Sequence, residues 1–439
     1  MTTMQTRPVA SAGAAQELEA TLRPLVGGAL PVRLRAWDGS EAGPADAPLI
    51  ELRSPDAVRR LLWHPSELGA AQAYVTGEVE VHGDSRDLGD LLTHLWKVAA
   101  QRSLSVVRPT PAVLARAVRT LAGIGALGRP LAAPASQARV GGRLHSRLRD
   151  RRAISHHYDL SNEFYALLLD ETMAYSSAYW TSTDPAYTLA DAQRAKLDLV
   201  CRKLGLESEM TLLDVGCGWG SLSLHAAEHF GARVTGVTIA AEQKRFIDAR
   251  IAERGLGERV EIRLQDYRDV VPSESSGFDA VGSLEMGEHV GEGNYPSYAA
   301  MLAAAVRPGG RVLVQQMSRS GRQGGKHPGG GPFIESFIAP DMHMRPVGET
   351  VAHLERGGLE VRDVHTLREH YVRTVDAWLE RFEDRVDALT DLVGEEVVRV
   401  WRLYLVGGRL AFRDGRMGVE QILALRPGAP HTLAPVRAW

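Results

Sequence analysis

Leu212-Leu213-Asp214-Val215-Gly216-Cys217-Gly218-Trp219-Gly220 is the stretch on which the fold of this chain turns. An apolar run ends in an acid, glycines follow at every second position, and a helical pattern runs on from Gly220 to Phe230. Glycine at such a turn permits positive φ and lets a ligand approach the backbone closely. Outward from it, Thr211–Asp214, Arg233–Thr238, Val260–Leu264, Phe278–Ser283 and Arg311–Gln315 are short apolar, β-branched runs. Helical patterns alternate with them, notably Gly220–Phe230, Ala241–Arg254 and Tyr295–Val306, and Pro308-Gly309-Gly310 is a turn feeding the last strand. The alternation predicts an α/β fold with a mostly parallel sheet. Such a sheet binds ligands at the carboxyl ends of its strands. Thr238 to Gln243 follows the second strand and Gln265-Asp266-Tyr267-Arg268-Asp269 the third. Polar groups able to hold ribose hydroxyls and adenine therefore gather at one edge.

The chain has 439 residues, which at about 150 per domain allows two or three domains. Hydrophobic residues make up 44% and charged residues 24%, too apolar for wholesale disorder. A formal charge of −3 excludes a uniformly basic nucleic-acid coat, so no nucleic-acid partner is expected. Two cysteines, Cys201 and Cys217, exclude a disulfide framework and fit a reducing, cytoplasmic setting. No apolar run approaches the roughly 18 to 20 residues that span a bilayer, and Met1–Ala15 lacks the pattern of a signal peptide. No metal site is expected.

The charge is unevenly spread. From Arg102 to Arg152 there are eleven arginines, no lysine and one acid, Asp150, punctuated by Pro109, Pro111, Pro130 and Pro134. This reads as a linker with short helices, Leu114, Val118 and Leu121 falling at helical spacing, and its cations suit an anionic membrane surface. The expected domains are thus a small α+β accessory domain over 1–101, the Arg-rich linker over 102–152, and a catalytic domain over 153–439. In the first, Pro31–Trp37, Pro48–Arg53 and Tyr74–Val81 read as strands, Ser54 caps a helix, and Asp87–Ala100 is a second helix; no catalytic cluster stands out. From Thr374 to Arg426 the pattern is mostly helical.

The Asp-x-Gly-x-Gly-x-Gly turn resembles the first motif of Rossmann-like class I S-adenosylmethionine methyltransferases rather than the Gly-x-Gly-x-x-Gly dinucleotide fingerprint. A more specific likeness lies in His156-His157-Tyr158-Asp159-Leu160-Ser161-Asn162-Glu163-Phe164-Tyr165, in Met173 to Trp180, and in Leu189-Ala190-Asp191-Ala192-Gln193-Arg194-Ala195-Lys196. With Glu288-His289-Val290-Gly291 and His370-Tyr371, these resemble the cyclopropane-fatty-acyl-phospholipid synthase family from about Ser155 onward. The resemblance implies S-adenosylmethionine as methyl donor and the double bond of an unsaturated acyl phospholipid as acceptor, with helical lipid-binding additions to the fold. It implies a cofactor site of Tyr175, Ser176, Asp214, Gly216, Gly218, Gly220, Thr238, Gln243, Gln265 and Tyr267, and aromatic walls from Tyr175, Tyr179, Trp180 and Tyr371. It also implies bicarbonate as a bound base, held by Glu288 and Tyr371 together with Ser177 and Gln315, which stand where the family has a cysteine and a histidine. Phe333 to Pro340 resembles the acyl-pocket region.

Ring closure requires the base to take a proton from the newly added methyl so that this carbon bonds to the cationic one. A displaced base gives a methylene without a ring. The substitutions at Ser177 and Gln315 favour the second outcome, a 10-methylene stearoyl chain made from oleoyl phospholipid, as in the actinobacterial branch that leads to tuberculostearic acid. That expectation brings with it a separate reductase and peripheral attachment to the inner face of the membrane; a homo-oligomer is left open. The alternatives are a cyclopropane product at the same double bond, a small-molecule methyltransferase, and a catalytically silent lipid-binding protein.

Overall fold

The computed structural model describes residues 13–102, 111–138, 142, 145–147, 149, 161–270, 277–321, 329–437 and 439. The His156–Leu160 motif and much of the Arg-rich stretch lie outside the described residues. The chain forms two compact units, Met1–Gln137 with Glu395–Val406, and Ala138–Gly394 with Gly407–Trp439.

In the first unit, β1 (Arg33–Arg35), β2 (Glu41–Ala42), β3 (Leu49–Leu52) and β4 (Val79–Glu80) form a sheet in the order β2-β1-β3-β4. Its core is small: Ala14, Ala15, Leu18, Leu34, Leu52, Ala57 and Ala73. Ser54 caps the helix Pro55–Trp63 by accepting the Asp56 N–H at 3.2 Å, as the sequence predicts. The predicted helix Asp87–Ala100 is Ser85–Gln101, opened by a capping box at Asp84. The strand expected over Tyr74–Val81 is instead the end of the helix Glu67–Val75 and the short β4. The Gly69-Ala70-Ala71-Gln72-Ala73 run carries the helix into Tyr74 and Val75, and Gly77, at φ 72°, turns the chain before β4. A buried Arg399 ties this unit together, paired with Glu80 and Glu395, donating to the Tyr74 carbonyl and lying over the Tyr74 ring.

In the second unit seven strands make one sheet: β5 (Thr211–Val215), β6 (Arg233–Thr238), β7 (Val260–Leu264), β8 (Phe278–Leu284), β9 (Val306–Arg319), β10 (Glu360–Thr366) and β11 (Met417–Leu425). The order is β10-β11-β9-β8-β5-β6-β7; the five from β9 to β7 run parallel, and β11 is antiparallel to both neighbours. This is the expected mostly parallel α/β sheet. Apolar clusters cover both faces, one around Leu197, Leu204, Leu222 and Ile247, the other around Tyr298, Leu302, Val312 and Leu354. The expectation of a mostly helical 374–426 is met by Arg368–Asp384, Val386–Val393 and Glu395–Arg413 but fails at β11. Seven consecutive residues of β11, Val419–Leu425, are buried, so the strand lacks the alternation by which a half-buried strand is read.

Candidate active site

The glycine turn stands between β5 and the helix Ser221–Phe230, at the carboxyl edge of the sheet. Gly216, Gly218 and Gly220 all have positive φ, at 77°, 54° and 82°. A Cβ at Gly216 would come within 2.7 Å of Met286 and one at Gly220 within 2.9 Å of Ile247, whereas Gly218 faces open space. The outer glycines are therefore demanded by packing, and the middle one presents bare backbone. Asp214, 2% exposed, accepts from the Ser223 hydroxyl at 2.7 Å, and burial pushes its carboxyl up to about 6. Thr238 donates to Gln243 Oε1 at 3.0 Å, both buried. Gln265 bonds to the Asp269 carbonyl, the adjoining Asp266 pairs with Arg268, and Tyr267 packs edge-on against Tyr298. These residues share one edge of the sheet, as the sequence predicts.

The segment Met173–Trp180 is held from two sides. Gln193 donates to the carbonyls of Ala174 and Ser176, and Lys196 Nζ donates to Ser176 Oγ at 2.9 Å. From the helix Arg368–Asp384, Thr374 accepts the Ala178 N–H and His370 the Trp180 N–H. Tyr175 lies 5.3 Å from Trp378, Trp378 is edge-on to Tyr371 at 5.9 Å, and Tyr371 lies 4.3 Å from Phe412. Tyr175 and Tyr371 thus join one aromatic wall with Trp378 and Phe412, neither of which the sequence singled out for it. Tyr179 and Trp180, also expected there, go elsewhere: Tyr179 packs on His370 and His365, and Trp180 against Tyr187 and Arg373. Strict alternation would put Tyr175 and Tyr179, four positions apart, on one face, but the chain bends at Ser176 between them.

The acidic end of the site centres on a residue the sequence reading passed over. Glu285 follows the last residue of β8 with a left-handed backbone, φ 51°. Its Oε1 accepts the Ser177 N–H and the Gln315 amide, each at 2.8 Å, and its Oε2 accepts the Tyr371 hydroxyl at 2.7 Å. Gln315 is oriented in turn by Gln421 of β11, at 3.0 Å. Three of the four residues expected to hold bicarbonate therefore converge on a carboxylate of the chain itself. The Ser177 hydroxyl takes no part; it donates to the Ala178 carbonyl. Glu288, the fourth, is fully buried, and among the described residues neither of its oxygens has a hydrogen-bond partner of normal geometry.

Burial raises the carboxyl of Glu285, an effect opposed by its three donors and by the Lys196 ammonium. Glu288 is pushed up to about 8 by burial and by the neighbouring Glu285. Two adjoining buried carboxyls do not both ionise readily; Glu288 keeps its proton near neutrality, while the three donors and the Lys196 ammonium favour the charge on Glu285 rather than on its neighbour. Lys196, fully buried and brought down to about 8 by desolvation, is still mainly cationic there. The spacing Glu285-x-x-Glu288 directly after a strand was the available signal for the second acid. Nothing local marked Lys196 as its counter-charge.

Residues 145–422 match the family model for mycolic acid cyclopropane synthetase. The chain belongs to that family. It is 36% identical over 418 residues to the "Probable fatty acid methyltransferase Rv3720" of Mycobacterium tuberculosis, covering 93% of this chain and 94% of the relative. It is also 36% identical over 415 residues to the tuberculostearic acid methyltransferase UfaA1 of the same organism, covering 91% and 89%. The crystal structure of mycolic acid cyclopropane synthase CmaA1 complexed with SAH and CTAB superposes with a TM-score of 0.57 at 29% identity, over 63% of this chain and 98% of that one. This family member is an S-adenosylmethionine-dependent methyltransferase, and the glycine turn with Thr238 and Gln243 fits that cofactor.

Proposed function

We propose that this enzyme transfers the methyl group of S-adenosylmethionine to the double bond of an oleoyl chain in a phospholipid and releases a 10-methylene acyl chain. The observation that carries the reading is the Glu285 carboxylate, set among three donors on the same segments that carry Tyr175, Ser176 and the aromatic wall. The cofactor supplies an electrophilic methyl. Tyr175, Ser176 and the Gly216–Gly220 turn would hold and orient it, since a weakly nucleophilic alkene needs in-line approach at near-attack distance. The π electrons form the new carbon–carbon bond as the carbon–sulfur bond breaks, leaving a cation on the neighbouring carbon. The ring faces of Tyr175, Trp378 and Tyr371 suit that cation. A hydride moves from the methylated carbon to its neighbour, and Glu285 then takes one proton from the methyl, whose C–H electrons become the methylene double bond.

The residues present do not fit bicarbonate at this position. The Ser177 N–H, the Gln315 amide and the Tyr371 hydroxyl are committed to Glu285, and Glu288 adds a neutral carboxyl rather than a cation. The base we propose is therefore a residue of the chain itself, Glu285. Likeness to the tuberculostearic acid methyltransferase over nearly the whole length supports the methylene product over the cyclopropane. A separate reductase would then saturate it. Among the described residues no helix is long and apolar enough to cross a membrane, and peripheral contact through the cationic stretch would bring the enzyme to its substrate on the inner face. Incubation with oleoyl phospholipid and S-adenosylmethionine, followed by gas chromatography with mass detection, tests the reading. The expected product is the methylene chain, formed without added bicarbonate; cyclopropane alone would overturn it.

A further inference from the structure

The first unit exposes a compact apolar apex. At the end of the helix Pro55–Trp63, Leu61, Leu62 and Trp63 are 38%, 42% and 49% exposed, and His64, Pro65 and Ser66 continue the exposed run. A second loop of the same unit lies beside it. The Trp63 indole N–H donates to the Gly128 carbonyl at 3.0 Å, and Arg59 donates to the Gly125 carbonyl at 3.3 Å, bringing up Leu127, itself 42% exposed. The polar edge of Trp63 is thus satisfied within the protein while its ring remains open to the outside. The same loop carries the exposed Arg129, and the helix Pro111–Gly123 leading into it exposes Arg116 and Arg119. None of these three arginines meets a carboxylate among the described residues, and no acid occurs in the sequence between Arg102 and Arg149.

We infer that this apex is a membrane-docking surface, with Leu61, Leu62, Trp63 and Leu127 entering the headgroup boundary of an anionic phospholipid bilayer and Arg116, Arg119 and Arg129 facing its phosphates. Leucines beside an amphipathic indole, with the exposed Arg129 next to the loop carbonyl that holds that indole and further exposed arginines on the helix leading into the loop, match the apolar-plus-cationic demand of such an interface. A second copy of the chain matches it poorly, because a two-fold contact would set the same unpaired cations against each other. The inference rests on the reading of the substrate as a bilayer lipid, and it moves the contact from the arginines alone to two apolar loops.

The test pairs vesicle co-sedimentation with activity. The wild-type protein should bind vesicles of oleoyl phosphatidylglycerol and release them as salt rises, while binding phosphatidylcholine weakly. Leu62→Glu with Trp63→Glu should weaken anionic-vesicle binding by about tenfold or more and lower turnover on vesicles equally. Turnover on detergent-dispersed lipid and affinity for S-adenosylmethionine should stay unchanged. Leu62→Ser with Trp63→Ser, checked for folding by circular dichroism, serves if the glutamates unfold the unit. Vesicle binding equal to wild type in a folded variant overturns the docking surface. So does a change from dimer to monomer in the variant, which would assign the apex to a second copy. Wild-type methylation of dispersed lipid without any vesicle binding also overturns it and leaves the proposed function standing. Vesicle binding with no methylation of any lipid-borne alkene defeats the function instead.

Discussion

The two halves of the candidate site are built in opposite ways. The glycine turn proposed for the cofactor is nine contiguous residues whose glycines are fixed by local backbone, Gly216, Gly218 and Gly220 all left-handed. The acidic end is assembled from Ser177, Glu285, Gln315 and Tyr371, drawn from an extended segment, a strand end, a neighbouring strand and a helix. A contiguous motif fails through its backbone and takes binding with it. An assembled cluster fails through one side chain and can lose chemistry while binding survives.

That contrast is sharpest at Glu285. Glu285→Gln should lower kcat by about 10²- to 10⁴-fold, the usual worth of a positioned base. Affinity for S-adenosylmethionine by calorimetry should change little, and a simultaneous loss of affinity would erase the distinction between the two halves. Gly218→Val should do the reverse. A β-branched residue at φ 54° is strained and covers the open backbone, so cofactor affinity should fall by about 100-fold or more in a protein still folded by circular dichroism.

Lys196 touches both halves, through Ser176 and through its charge near Glu285. Lys196→Met removes a cation that favours the Glu285 carboxylate, so the carboxyl should rise further. Activity requires the ionised form, so the acid limb of the kcat profile should move to higher pH, with about a tenfold loss at neutral pH. An unmoved limb would confine Lys196 to packing. The smallest effect belongs to the first unit. Ser54→Ala deletes a helix cap and should cost about 1 kcal/mol in denaturant unfolding of that unit, with turnover on dispersed lipid unchanged.

The sequence by itself determined the α/β sheet, the strands β5 to β8 to within a residue at either end, and the gathering of Asp214, Thr238 and Gln243 at one edge of that sheet. These features rest on periodicity and on glycine conformations, which are local properties written into neighbouring residues. Where burial removes periodicity, as in β11, or where an Ala-rich helix runs into a strand-like end, as at Tyr74, the local signal points the wrong way. The resemblance grouped Ser177, Gln315 and Tyr371, but only the tertiary structure put Glu285 at their centre. Glu285 looks like one more polar residue after a strand until β9 brings Gln315 and the helix Arg368–Asp384 brings Tyr371 to its carboxylate. Its hydrogen bonds span 30, 86 and 108 positions in the chain. Which donors a buried carboxylate meets, and which of two adjacent acids keeps its proton, is set by packing across that distance, and no run of neighbouring residues encodes it.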